Sequence, residues 1–123
     1  MKYTSASKQD YLETILTVKT SRGEVRPIDI SNEMGVSRAS VTKAIGALAA
    51  DGLVIHQKYG SVDLTEEGLA IAESVLGSHH TLKRFLIDVL GMDSETAEED
   101  ACRMEHVISP ETLKAFIDYL NEH

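Results

Sequence analysis

At 123 residues the chain suits one domain, or a small domain joined to a short second one. Its 42% apolar and 26% charged residues are ordinary for a folded water-soluble protein, and no apolar run approaches the roughly 18–20 residues that cross a bilayer. The single cysteine excludes an internal disulfide, and "MKYTSASKQD" lacks the apolar core of a signal peptide, so the expected compartment is the cytoplasm, with no membrane partner. The net charge of −8 argues at first against nucleic acid, but it is unevenly spread. Residues 1–62 carry eight Lys/Arg against six Asp/Glu, and residues 63–123 carry four against fourteen. The first half can approach an anion, and the second can hold cations.

In chain order, "SASKQDYLETILTVKT" (5–20) predicts a helix with Tyr11, Leu12, Ile15 and Leu16 on one face. "SRGE" breaks it. A short helix follows over 27–34, opened by Pro27 and stopped by Gly35. Ser37 is placed to cap a third helix over 37–51. "LVIHQKYGSVDLT" then predicts two short strands around Gly60. A long helix over 65–90, a fifth over 94–106 capped by Asp93 or Ser94, and a sixth opened by Ser109-Pro110 complete the chain. The expectation is a mainly α fold: a winged helix-turn-helix over 1–64, followed by an all-helical domain over 65–123.

In the first half, Ile28, Ile30, Met34 and Val36 are expected to pack against Val41, Ile45 and Leu48. That leaves Ser37, Arg38, Ala39, Ser40, Thr42 and Lys43 to face a major groove. Hydroxyls and amines there would grip phosphates, and Arg38 would reach a guanine edge. Arg26 adds a cation ahead of the second helix, and Lys58 and Tyr59 at the hairpin tip would meet the flanking backbone. Because the local charge is modest, affinity for double-stranded DNA is expected to need a homodimer on two half-sites.

In the second half, Glu98, Cys102, Glu105 and His106 share one sector of the fifth helix, roughly opposite Ala97, Ala101 and Met104. A structural thiol would sit with the apolar stripe; this one sits with carboxylates. His79 shares a side with Val75, Leu82 and Leu86 and is preferred over His80 as an inward ligand. Asp10 and Glu13, three apart on the first helix, are either a solvated face or a face needing a cation.

Several of these stretches resemble the diphtheria toxin repressor family of iron- and manganese-dependent regulators. "DACRMEHVIS" is similar to that family's metal-binding helix and places ligands at Cys102, Glu105 and His106. "SHHTLKRFL" places a ligand histidine at His79, six residues before Phe85. "DYLETIL" resembles the first-helix motif of the manganese-sensing branch, with ligands at Asp10 and Glu13, and "VSRASVTKAIGAL" resembles the recognition helix. The site is a hybrid, since iron sensors carry Met at the place of Asp10 and many manganese sensors carry Glu at the place of Cys102. At the ancillary site of the iron sensors, this chain has Lys83 and Glu98, which are expected to form an ion pair in place of a second metal. The sequence ends soon after "FIDYLNEH", so the resemblance is to a two-domain form without an SH3-like domain.

The resemblance implies a homodimeric repressor of metal-homeostasis genes that binds a palindromic operator when loaded with Fe²⁺ or Mn²⁺. Co²⁺, Ni²⁺ or Zn²⁺ are expected to fill the same donors in vitro. The competing reading is a winged-helix regulator answering a non-metal ligand or a protein partner. An enzyme is disfavoured, because no nucleophile–base pair is evident.

Overall fold

The computed structural model describes residues 6–57 and 60–122. Six helices and one two-stranded sheet follow in the order α1 (Ala6–Arg22), α2 (Pro27–Met34), α3 (Arg38–Ala50), β1 (Val54–His56), β2 (Val62–Leu64), α4 (Glu66–Asp88), α5 (Ser94–Met104) and α6 (Pro110–Glu122). The chain divides into two compact units, Met1–Glu73 and Ser74–His123, so the boundary falls inside α4.

The first unit is built on the winged-helix order. Tyr11, Leu12, Ile15 and Val18 of α1 recur at helical spacing and are buried. They join Ile30 of α2, Val41, Ile45 and Leu48 of α3, and Val54 and Val62 of the strands in one core. Strands β1 and β2 are antiparallel, with Val54 opposite Leu64 and His56 opposite Val62. The Val62 amide also donates to the Val25 carbonyl at 2.8 Å, fastening the wing to the segment before α2.

The turn between α2 and α3 has its own chemistry. Gly35 caps α2 in the left-handed region (φ 67°), where a side chain would be strained. The Ser31 hydroxyl donates to the Val36 carbonyl at 2.6 Å. The Ser37 hydroxyl then accepts from the Ser40 amide at 3.1 Å and starts α3.

One packing expectation is corrected: Ile28 is 39% exposed, whereas Ile30 is fully buried. Two residues apart on a helix point about 200° apart, so only one of them can face the core. Met34 and Val36 lie half-buried against that core. Outside it, Lys8 pairs with Asp51 at 2.6 Å and Lys19 with Asp63 at 2.7 Å. These pairs clip the two ends of α1 to the end of α3 and to the wing.

In the second unit, α4 buries Val75, Ser78, His79, Leu82 and Leu86, a stripe with the spacing of a helix face. The Asp93 carboxylate accepts from the Thr96 amide at 3.0 Å to start α5. Helix α5 ends at Met104, so Glu105 is its C-cap and His106 lies beyond it rather than inside a helix reaching 106. Along α6 no side chain is buried. Its Phe116 and Tyr119 rings meet Phe85 of α4 edge-on, with centroids 4.4 and 5.7 Å apart.

Gly68 in the first turn of α4 and Gly46 in α3 offer opposite tests of these contacts. A Cβ at Gly68 would fall 2.0 Å from the Leu53 carbonyl oxygen, whereas one at Gly46 meets nothing within 4 Å. Gly68→Ala is therefore expected to destabilise by about 1–3 kcal/mol. Gly46→Ala should stabilise by about 0.5–1 kcal/mol, because alanine loses less freedom on entering a helix. Urea unfolding of both variants checks the pair of signs.

Candidate nucleic-acid interface and metal centre

Helix α3 turns Val41, Ile45 and Leu48 into the core and leaves Ser37, Arg38, Ala39, Ser40, Thr42 and Lys43 exposed. The hydroxyls on this surface are partly engaged by the helix itself. The Ser37 hydroxyl donates to the Ser40 hydroxyl at 2.9 Å, and the Thr42 hydroxyl donates to the Arg38 carbonyl at 3.0 Å. That leaves Arg38 and Lys43 as the cations of this surface.

Arg26 is exposed, pairs with Glu24 at 3.4 Å, and brings a guanidinium nitrogen within 3.8 Å of the Cβ position of Gly60 at the wing turn. Lys58 and Tyr59 lie outside the described residues. Asp10 and Glu13 are half-buried on α1.

The acidic half gathers its candidates around His79, which is only 7% exposed. Its Nδ1 lies 2.9 Å from Glu105 Oε2, and its Nε2 lies 2.9 Å from Glu98 Oε1. The other Glu98 oxygen sits 2.9 Å from Lys83 Nζ, the ion pair expected from the sequence. First the Lys83 ammonium, then the His79 ring, hold the Glu98 carboxyl below its usual range. His106 Nε2 approaches Glu105 Oε1 at 3.4 Å. His80, by contrast, is exposed.

The expected division of α5 into a ligand face and a core face needs correction. Glu105 is buried with Ala97 and Ala101, whereas Glu98 and Cys102 are exposed. Glu105 is four residues after Ala101, one turn on, so helical phase carries it to the interior side. It is therefore a carboxylate whose side chain is fully buried, between two imidazoles. The His79–Glu98 contact was missed in the sequence. Its only signal was the spacing of His79 and Lys83, one turn apart on the same face.

These residues suit a divalent cation. Donor atoms of His79, Cys102 and Glu105 all lie within 4.8 Å of one another. Donors held about 2.0–2.3 Å from a shared ion would stand about 3–4 Å apart, so small side-chain adjustments suffice. Imidazole, carboxylate and thiolate together match borderline metal ions. A buried carboxylate also gains from a cation, because desolvation penalises an uncompensated charge.

Comparison with known families agrees with both halves. The family model for the iron dependent repressor N-terminal DNA binding domain matches residues 3–62, and that for the iron dependent repressor metal binding and dimerisation domain matches residues 65–123. The chain belongs to the iron-dependent repressor family. It is thus a metal-dependent, DNA-binding transcriptional repressor that pairs as a homodimer on operator DNA, and not an enzyme.

Among its relatives, the transcriptional regulator MntR of Salmonella typhimurium is 37% identical over 93% of this chain and 72% of its own length. The diphtheria toxin repressor of Corynebacterium efficiens is 30% identical over 91% of this chain and 49% of its own. A solved manganese-dependent transcriptional repressor in complex with manganese superposes with a TM-score of 0.84 at 30% identity, covering 93% of this chain and 52% of that one. The chain thus spans about half the length of the latter two. No helix among the described residues is long and apolar enough to cross a membrane.

The recognition face can be tested residue by residue on operator DNA recovered by selection from random sequence. Lys43→Ala should weaken binding evenly across sequences and reduce the salt slope by about one per subunit, the signature of a lost phosphate contact. Arg38→Ala should cost about 1–3 kcal/mol and relax specificity at one base position per half-site. Fluorescence anisotropy across a salt series separates the two behaviours.

Proposed function

We propose that Fe²⁺ or Mn²⁺, held by Asp10, Glu13, His79, Cys102, Glu105 and His106, is the signal that commits the dimer to its operator. The observation that carries this reading is the convergence of the His79, Cys102 and Glu105 donor atoms within 4.8 Å around a buried carboxylate. Asp10 and Glu13 enter through their match to the manganese-sensing motif, and they ride on the DNA-binding unit. In this proposal metal occupancy sets the spacing of the two recognition helices. Matched half-sites lie about 34 Å apart or at a multiple of it.

When bound, the ion supplies the positive charge that this acidic ligand set needs in order to converge. The protein's own groups do the rest: Glu105 anchors the cluster from the interior, His79 and His106 flank it, and Cys102 closes it from the exposed side. Moving the operator-competent state from about 1% to 99% needs roughly 5.5 kcal/mol of preferential binding. The proposed setting is the cytoplasm, with metal-homeostasis genes as targets.

The donors leave two metals in play. Carboxylates and imidazoles accept Mn²⁺ and Fe²⁺ alike, while the thiol of Cys102 tilts the set toward Fe²⁺. Relatives point both ways, since the family is described as iron-dependent and a solved neighbour as manganese-dependent.

Chelation is expected to weaken operator binding by about 100-fold, the change in active fraction implied by that shift. Re-addition of Mn²⁺, or of Fe²⁺ without oxygen, should restore it. A gel-shift affinity indifferent to chelator and metal would refute the proposal. Cys102→Glu should raise activation by Mn²⁺ relative to Fe²⁺ in the same assay, and an unchanged ratio would remove Cys102 from the ligand set.

A further inference from the structure

We infer that Glu98 is the positioning residue of the metal centre: it holds His79 by Nε2, so that Nδ1 is the nitrogen presented to the ion, and Lys83 fixes Glu98 by its second oxygen. The inference rests on the metal centre proposed above. It assigns Glu98, an acidic residue beside the ligands, a role outside the ligand set.

The geometry divides the ring's two nitrogens cleanly. Nδ1 faces Glu105 Oε2 at 2.9 Å, on the fully buried side of the cluster. Nε2 faces Glu98 Oε1 at 2.9 Å, on a carboxylate that is half-exposed. An imidazole has only these two in-plane bonding positions, so a partner on each sets both the plane of the ring and its rotation. A ring that gives the Nδ1 lone pair to a cation keeps its hydrogen on Nε2, and that N–H then donates to Glu98. Such an outer carboxylate orients the ring and makes the donor nitrogen more basic.

Lys83 makes the arrangement specific. It follows His79 by one helical turn, so both residues project from the same face of α4. Glu98 on α5 spans them, one oxygen to each, with both contacts at 2.9 Å. The ammonium thus occupies the oxygen that Glu98 would otherwise offer to a cation. A glutamate placed to bind metal would gain from the loss of that competitor, whereas one that positions His79 would be loosened by it. Because loss of an ammonium by itself favours a nearby cation, the two roles are separated by which His79 nitrogen the metal takes.

The test titrates Zn²⁺ and Mn²⁺ separately, by calorimetry, into the full chain and its Glu98→Ala, Glu98→Gln and His79→Ala variants. Urea unfolding confirms that each is folded. Glu98→Ala should bind both metals about 10–100-fold more weakly. Glu98→Gln, whose amide oxygen still accepts from Nε2–H, should recover part of that loss. Long-range ¹H–¹⁵N spectra of the Zn²⁺-loaded protein should report His79 with Nδ1 coordinated and Nε2 protonated.

A metal coordinated by His79 Nε2 would overturn the inference. Wild-type affinity in Glu98→Ala together with a large loss in His79→Ala would also overturn it while leaving the metal centre standing. Unchanged binding in His79→Ala would remove His79 from the ligand set, and the inference with it.

Discussion

The second half of this protein depends on one electrostatic constraint: the Glu105 side chain is a fully buried carboxylate. Withdrawing a carboxylate from water costs several kcal/mol unless positive charge or hydrogen bonds replace the solvent. The replacement comes from outside α5. His79 approaches one oxygen from α4, and His106 approaches the other from the turn just past the helix end. Helix α5 ends at Met104, with Glu105 as its C-cap and His106 the next residue. Two imidazoles set around a buried acid offer the mixed nitrogen and oxygen donors that a divalent cation accepts.

The same constraint accounts for the chain's uneven charge. An acidic second half costs stability through self-repulsion, yet it is the half that must attract cations. Not every carboxylate there points at the ligands. Glu98 is tied to Lys83, and the nearby Asp100–Arg103 and Lys114–Asp118 pairs are exposed ions that contribute little beyond solubility. The close contacts around the buried carboxylate are thus made by a few residues of α4 and of the end of α5.

Much of this was legible in the sequence, because the decisive signals are local. The winged-helix order followed from Pro27, Gly35, Ser37 and the apolar spacing of Val41, Ile45 and Leu48, each of which acts within one or two turns. His79 was legible as an inward residue because it shares phase with Leu82 and Leu86, and Lys83–Glu98 because charge and likeness converged on it. Failures came where phase alone was too coarse. Ile28 and Ile30 are both apolar, but only one could reach the core. Glu105 looked like part of a polar face, although one turn after Ala101 it lies on the interior side. The contact between Glu98 and His79 joins two helices and depends on side-chain reach, which no periodicity encodes.

The first half carries few cations for a DNA-binding surface, and this shapes how control must work. Arg38 and Lys43 are the charged groups on the exposed face of α3, while Ser37, Ser40 and Thr42 spend part of their hydrogen-bonding capacity on the helix itself. With few cations on that helix face, a single subunit is expected to make few phosphate contacts there and to bind DNA weakly by itself. Weak monomer binding is what allows a signal in the other half to matter. If one recognition helix held DNA tightly alone, fixing the spacing of two would add little. Because neither suffices, operator affinity grows with both contacts together, and the pairing of subunits becomes the lever. The exposed apolar residues of the second half, Ile117 and Tyr119 on α6 with Leu90 and Met92 before α5, sit in the segment matched to the family's dimerisation domain. The matched family domain is described as both metal-binding and dimerising, so in the proposed mechanism the two roles are carried by the same helical half.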